Sequence, residues 1–224
     1  MTSSHPLILA HGGAGPRRLT PAQATCLADA LAAGYGILAR GGPALIAVEC
    51  TIGLMEQSGL FNAGRGANRQ LDGMQRMDAA IMEGAHLKAG AVASIEGIVH
   101  PITAARMVME DTNHVLLVGP PATRFAQHCQ LEQLPKARSP RRCSGRSPRT
   151  STAAEQTMRL YRAMLKSKRA LKDQHGTVGA VALDRSGTVA AGASTGGIDS
   201  MLPGRVGDSP LIGCGVYADN QSGA

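Results

Sequence analysis

Aromatic side chains are nearly missing from this chain: they make up 2% of its 224 residues, with two Phe, three Tyr and no Trp. A core built without them must come from Ala, Val, Leu, Ile and Met, closely packed and turned tightly by the 28 glycines. The same scarcity removes the stacking platforms on which single-stranded nucleic acids are held. No Cys-x-x-Cys pair occurs, and the five cysteines (Cys26, Cys50, Cys129, Cys143 and Cys214) are odd in number and far apart. Neither a zinc site nor a disulfide framework is indicated. The N-terminus has no basic n-region, Leu7 to Ala10 is too short for a signal core, and no apolar run reaches the length of a membrane span. The expectation is a cytoplasmic protein with no membrane partner.

Charge of one sign is concentrated in one place. Residues 133–175 carry 12 Lys/Arg against Glu155 and Asp173, whereas the rest of the chain holds 11 Lys/Arg against 14 Asp/Glu. The pI near 9.5 is therefore local, and a basic segment between elements is more often solvated than a groove reader. No nucleic-acid partner is expected.

What is present is a sizeable apolar content, 43%, enough for one large domain or two small ones. Taken in order, Leu7–Ala10 reads as a strand running into His11-Gly12-Gly13-Ala14-Gly15. Thr20-Pro21 is an N-cap with Pro at the first helical position, and that helix stops before Gly41. Pro43 opens a second helix that Gly59 ends, and a loop from Leu60 to Asn68 follows. Strands are expected at 77–82 and 89–95, a helix at 101–111, a strand at 114–118 and a helix at 122–131. Pro135, Pro140 and Pro148, with Ser and Arg between them, read as linker, and 153–172 as a charged helical stretch. Strands 177–184 and 187–193 form a hairpin around Arg185-Ser186-Gly187, and Leu211–Ala218 reads as a last strand. Strands at both ends with helices between them suggest sheet covered by helices.

The chemistry centres on Gly176-Thr177. The Thr opens an apolar, β-branched run, Val178 to Leu183, that reads as a buried strand. Cleavage before Thr177 would place a free α-amine, with a reference pKa of about 7.7–8.0, beside the Thr hydroxyl. An N-terminal amine that activates its own hydroxyl turns a weak nucleophile into a strong one. A competing motif, Gly192-Ala193-Ser194-Thr195-Gly196, fits the G-x-S-x-G nucleophile elbow. It fails on order, because its acid and histidine must follow the nucleophile and the last histidine is His175.

An ordered set of segments joins these pieces: His11 to Gly15, Phe61 to Gly66, Met77 to Gly84, Ala89 to Ala93, His175 to Asp184, Ser194 to Gly197 and Leu202 to Pro210. Together they resemble the isoaspartyl peptidase/plant-type L-asparaginase family of N-terminal-nucleophile (Ntn) hydrolases, over residues 7–132 and 174–224. The resemblance implies an α/β (α+β layered) fold, an αββα sandwich of the Ntn-hydrolase type. Residues 1–176 would form the α-chain part, with 133–173 as its variable linker, and residues 177–224 would begin the β-chain part, the two making one domain. It implies amidohydrolase action on L-asparagine and β-aspartyl dipeptides by an autoproteolytically released N-terminal Thr177, with Gly176 and Thr177 flanking the cut.

By the same resemblance, Thr195 would hydrogen-bond the Thr177 hydroxyl, and Asn62 would contact substrate. Arg205 and Asp208 would take the substrate α-carboxylate and α-ammonium, for which a planar guanidinium fork and a carboxylate are suited. The main-chain carbonyls of Leu60, Phe61 and Ala63 would hold a structural sodium ion, hard cations preferring oxygen ligands. His11 would be structural, and no cofactor would be needed for catalysis. The assembly implied after self-cleavage is an (αβ)2 heterotetramer. The family's chain continues beyond the position of Ala224 into a Thr-Gly pair that stabilises the oxyanion. The resemblance therefore implies a fold incomplete at its C-terminus, with little turnover from the chain as given. Two other readings stand beside it, a non-catalytic, unprocessed remnant of the family and a glycosylasparaginase-like Thr hydrolase.

Overall fold

The computed structural model describes residues 5–14, 18–135, 155, 158–159, 161–162, 176–199 and 201–224. Gly15, Gln174, His175, most of the linker and all but five positions of the stretch expected to be helical over 153–172 lie outside the described residues.

Six strands form one sheet. They are β1 (Leu7–His11), β2 (Arg76–Glu83), β3 (Lys88–Glu96), β4 (Leu116–Val118), β5 (Val178–Leu183) and β6 (Val189–Thr195), in the spatial order β1-β5-β6-β2-β3-β4. All pairings are antiparallel except β3 with β4. Among the described residues, four helices with given bounds accompany them: α1 (Pro21–Ala39), α2 (Ala44–Ser58), α3 (Pro101–Asp111) and α4 (Gly119–His128).

The helix boundaries have local causes. Thr20 caps α1 in a full capping box: its hydroxyl accepts from the Gln23 N–H at 3.2 Å while the Gln23 side chain accepts from the Thr20 N–H at 2.9 Å. α2 follows Pro43, which has no side chain able to cap, and the cap comes from elsewhere: Asp184 Oδ2 accepts from the Ala44 N–H at 3.0 Å. Gly59, at φ 69°, ends α2 in the left-handed conformation that glycine takes without strain.

Period-two alternation divides the sheet into two faces. On one face, Ile8, Ala79, Ile81, Val92, Val178, Ala180, Ala182 and Ala190 join one buried cluster with apolar side chains of all four helices. On the other, Ala80, Met82, Ala91, Ala191 and Ala193 pack against Val216 and Ala218. At the β1 edge of that second face, Leu7 and Leu9 are more than half exposed. The mixed α/β architecture agrees with the expected class, and the described residues account for one helical layer and one sheet.

One expected element is corrected. Leu211–Ala218 is not a strand but a run of turns with a single isolated bridge, Ile212 to Val216. Gly213 sits at φ 85°, and the N–H groups of Cys214 and Gly215 both turn back to the Leu211 carbonyl. A segment whose donors are spent on tight turns cannot extend a ladder. Its Val216 and Ala218 are nevertheless buried on the sheet.

Candidate active site

Antiparallel register gathers three polar residues at one end of the less covered face. β5 pairs with β6 through Val178 and Ser194, so Thr177, one residue earlier, adjoins Thr195; β2 pairs with β6 through Asp78 and Thr195. Thr177, Thr195 and Asp78 thus stand side by side across three strands, pointing opposite to Ser194. The Thr177 hydroxyl donates to Thr195 Oγ1 at 3.1 Å, and the Gly197 N–H donates to the same oxygen at 3.0 Å. Thr195 is buried and Thr177 half-buried, so the nucleophile candidate is reachable while its partner is fixed.

The loop after α2 supplies the floor. The Asn62 carbonyl accepts from the Gly196 N–H at 2.8 Å, its side-chain oxygen accepts from the Asn68 N–H at 2.8 Å, and its amide donates to the Gly197 carbonyl. Two of these three bonds tie the loop to the turn after Thr195, and the third, to Asn68, closes the loop on itself. Gly176 rests on the same side chain: a Cβ at Gly176 would come within 2.6 Å of the Asn62 Cβ. A side chain before Thr177 is therefore excluded by Asn62, and the bond proposed for cleavage has a defined seat.

The anchor pair is placed next to this floor. The Arg205 guanidinium lies against Gly197 and Gly207, where an added Cβ would meet its nitrogens at 3.0–3.2 Å. Among the described residues it makes no ion pair, and the exposed Asp208 carboxylate makes neither an ion pair nor a side-chain hydrogen bond. A guanidinium at the Gly197 turn, which also carries the Thr195 hydroxyl's donor, and a carboxylate three residues further on suit a zwitterionic ligand.

Three contributors were not assigned from sequence. Asp78 is buried; its Oδ1 accepts from the Ser94 N–H at 2.8 Å, and its Oδ2 lies 3.4 Å from the Gly207 N–H of the Arg205 loop. Burial pushes its carboxyl above the usual range, opposed by these two N–H groups and by the Arg205 charge. The signal was available as a lone Asp inside the apolar run Met77 to Met82. His11, expected to be structural, ends β1 with its ring over Gly179 and hydrogen-bonds the Thr177 backbone. Burial lowers its pKa, and that hydrogen bond opposes the shift. The third is Glu56, beneath the site, to which Ser194 donates at 2.6 Å. Ser194 is fully buried on the helix side, which disposes of the nucleophile-elbow reading on geometry as well as order.

The carbonyls expected to hold sodium already accept hydrogen bonds: Leu60 from Gln23 at 2.9 Å, Phe61 from Ala63 at 2.8 Å and Ala63 from Gly66 at 3.1 Å. Each keeps a second lone pair. The Phe61 and Gly59 oxygens converge on Gly66, at 2.1 and 2.7 Å from where its Cβ would stand. Among the described residues, no group of three His, Cys, Asp or Glu side chains could hold a metal ion, and no helix is long and apolar enough to cross a membrane.

Residues 4–224 match the Asparaginase_2 family, described as asparaginase. An isoaspartyl peptidase/L-asparaginase of Danio rerio is 38% identical over 221 residues, covering 98% of this chain and 68% of the relative. The Homo sapiens protein of the same name is 40% identical over 225 residues, covering 98% of this chain and 70% of its own length. An isoaspartyl peptidase of Escherichia coli K12 is 41% identical over 232 residues, covering 96% and 68% respectively.

Proposed function

The chain belongs to the asparaginase family matched over residues 4–224, and from that premise we propose an amidohydrolase that acts on L-asparagine and β-aspartyl peptides through Thr177. The relatives' names, isoaspartyl peptidase and L-asparaginase, supply the substrate class. The observation that carries the reading is the 3.1 Å hydroxyl pair of Thr177 and Thr195, with Gly176 seated against Asn62.

The first step is intramolecular. The Thr177 oxygen attacks the Gly176 carbonyl carbon, the Gly176–Thr177 amide bond breaks to leave an ester and a free amine, and water hydrolyses the ester. The chain is then divided into 1–176 and 177–224 parts. In the second step the Thr177 amine accepts the proton of its own hydroxyl, and the oxygen attacks the side-chain carbonyl of the substrate. Ammonia or a peptide amine leaves, and water releases aspartate from the acyl-enzyme. Arg205 holds the α-carboxylate and Asp208 the α-ammonium, while Thr195 fixes the direction of the Thr177 hydroxyl. The main-chain carbonyls of Leu60, Phe61 and Ala63 would hold a sodium ion that stiffens the loop of Asn62; replacing Na⁺ by a bulky organic cation should then lower the melting temperature. Cytoplasmic location and an (αβ)2 assembly of the processed protein belong to the same reading.

The test is mass. Under denaturing conditions the purified protein should yield a fragment beginning at Thr177, and Thr177→Ala should give one uncut species. A wild-type chain that stays whole on prolonged incubation, or a Thr177→Ala chain cut at the same bond, removes Thr177 from its role.

A further inference from the structure

Glu56 lies near the end of α2 with no solvent exposure, among apolar neighbours. Transferring a carboxyl to such a place is costly unless each oxygen is satisfied. One oxygen is: Oε1 accepts from the Ser194 hydroxyl at 2.6 Å and from the Ile102 N–H, in the first turn of α3, at 3.1 Å. The other, Oε2, has no hydrogen-bond partner and faces His100 Nδ1 at 3.4 Å. From there charge continues outward: His100 Nε2 lies 3.9 Å from Glu132, which pairs with Arg65. Burial pushes the Glu56 carboxyl upward, while the His100, Ser194 and Ile102 contacts oppose that shift.

An ordinary helix cap would explain the Ile102 contact and nothing more. Two further contacts lead to the active site. Ser194 immediately precedes Thr195 and pairs with Val178, which immediately follows Thr177. A hydroxyl pinned from below at Ser194 therefore fixes the main chain from which Thr195 reaches up to Thr177. On its other flank Glu56 packs directly under Gly64, where a Cβ would come within 2.5 Å of the Glu56 carbonyl oxygen and 2.6 Å of its Cβ. Gly64 is two residues beyond Asn62. Both segments that shape the site thus rest on one buried residue.

We propose that Glu56 is a positioning residue for the Thr177 reaction: its bond to Ser194 sets the strand end of Thr195 relative to the Gly176–Thr177 bond. This rests on the reading of Thr177 as nucleophile. Glu56 touches neither substrate nor scissile bond, so its effect falls on the rate of the chemical step and not on substrate affinity, which belongs to Arg205 and Asp208 on the opposite face.

The experiment follows cleavage at Gly176–Thr177 by time-resolved denaturing mass spectrometry in the parent chain, Ser194→Ala, Glu56→Ala, Glu56→Gln and the Glu56→Ala/Ser194→Ala double variant. Small displacements of reacting groups cost up to about 100-fold, so Ser194→Ala and Glu56→Ala should each slow cleavage by about 10- to 100-fold. Glu56→Gln keeps an acceptor for Ser194 and gains a donor for His100, and it should cleave within about threefold of the parent. The double variant should be no slower than the slower single one, because both remove one bond. Ser194→Ala deletes one hydroxyl and keeps the proposal testable if Glu56→Ala does not fold. Folded Ser194→Ala protein that cleaves at the parent rate overturns the proposal while leaving Thr177 intact, as does Glu56→Gln cleaving as slowly as Glu56→Ala. A parent chain that does not cleave at all overturns the Thr177 reading and this inference with it.

Discussion

The two faces of the sheet carry different kinds of polar residue, and one dipeptide shows the division. Ser194 and Thr195 are consecutive on β6, yet Ser194 turns into the helix layer and bonds a buried carboxylate, while Thr195 turns to the other face and accepts the Thr177 hydroxyl. On the helix face, the buried polar groups are tied to neighbours, as at Glu56 Oε1 and at Thr51, whose hydroxyl donates to the Ala47 carbonyl at 2.8 Å. On the other, Arg205 and Asp208 make no ion pair among the described residues, which leaves both charges available to a ligand. Strand alternation allows both within a few ångströms, because a residue and its successor never share a face.

The sharpest way to break this contrast is a crossed pair of substitutions. Thr177→Ala should abolish cleavage and turnover outright while moving stability by no more than about 0.5 kcal/mol, since a half-buried hydroxyl contributes little packing. Ile52→Ala, in the helix layer with no exposure, should cost about 2–5 kcal/mol by transfer and cavity formation. The part of its population that remains folded should still cleave. Denaturant unfolding and intact mass, measured on the same samples, separate the two. Cleavage lost from fully folded Ile52→Ala protein would show that the helix layer acts on the site through more than the Glu56–Ser194 bond.

Much of the fold could be read in advance because its signals are local. Thr20-Pro21 and Gly59 mark helix ends by their own conformational preferences, and the apolar runs at 77–82, 89–95 and 178–183 give strands within a residue or two of where they lie. Leu211–Ala218 misled because its apolar spacing resembles a strand, whereas Gly213 and Gly215 turn the chain back on itself. The site divides in the same way. Thr177, Thr195, Asn62 and Arg205 lie around the Gly196–Gly197 turn, with Asp208 three residues beyond Arg205 on the loop that follows it. Asp78 and Glu56 were not assigned, and the Thr177 contact of His11 was not foreseen, because their parts depend on register: which residue of β2 faces Thr195, which residue of β6 faces α2 and which residue of β1 meets β5. No short window of sequence contains that information.

A middle-sized effect is expected at the open end of the site. Arg205→Lys retains the charge and loses the planar fork, so KM for a β-aspartyl dipeptide should rise about tenfold with kcat little changed, equivalent to about 1.4 kcal/mol. Steady-state kinetics on processed protein carrying a relative's C-terminal segment decide it. An equal fall in kcat with KM constant would place Arg205 in the reacting geometry and not in substrate anchoring.

The smallest expected effect tests the helix face through its pH dependence. Asp184 is buried at the hairpin between β5 and β6. It accepts from the Ala44 N–H at 3.0 Å, the Ser186 N–H at 2.9 Å and the Thr188 N–H at 3.1 Å, so it caps α2 and closes the turn at once. Burial alone would push its carboxyl up, but the Ser186, Ala44 and Thr188 hydrogen bonds outweigh it and hold the pKa below the ordinary carboxylate value. A carboxylate with a depressed folded pKa binds fewer protons folded than unfolded over that interval. Its contribution is therefore complete above the unfolded value of about 3.9 and is lost as pH falls through the folded one. Asp184→Asn keeps an acceptor oxygen and loses the charge, so at neutral pH it should cost about 1–2 kcal/mol. The deficit should shrink as the pH is taken below about 4, because the parent carboxyl then becomes neutral as well. Urea unfolding of parent and variant across pH 2.5–7 measures the gap directly. A gap that stays constant over that range would mean that Asp184 acts through shape and hydrogen bonding alone, with no stabilisation from its charge at the start of α2.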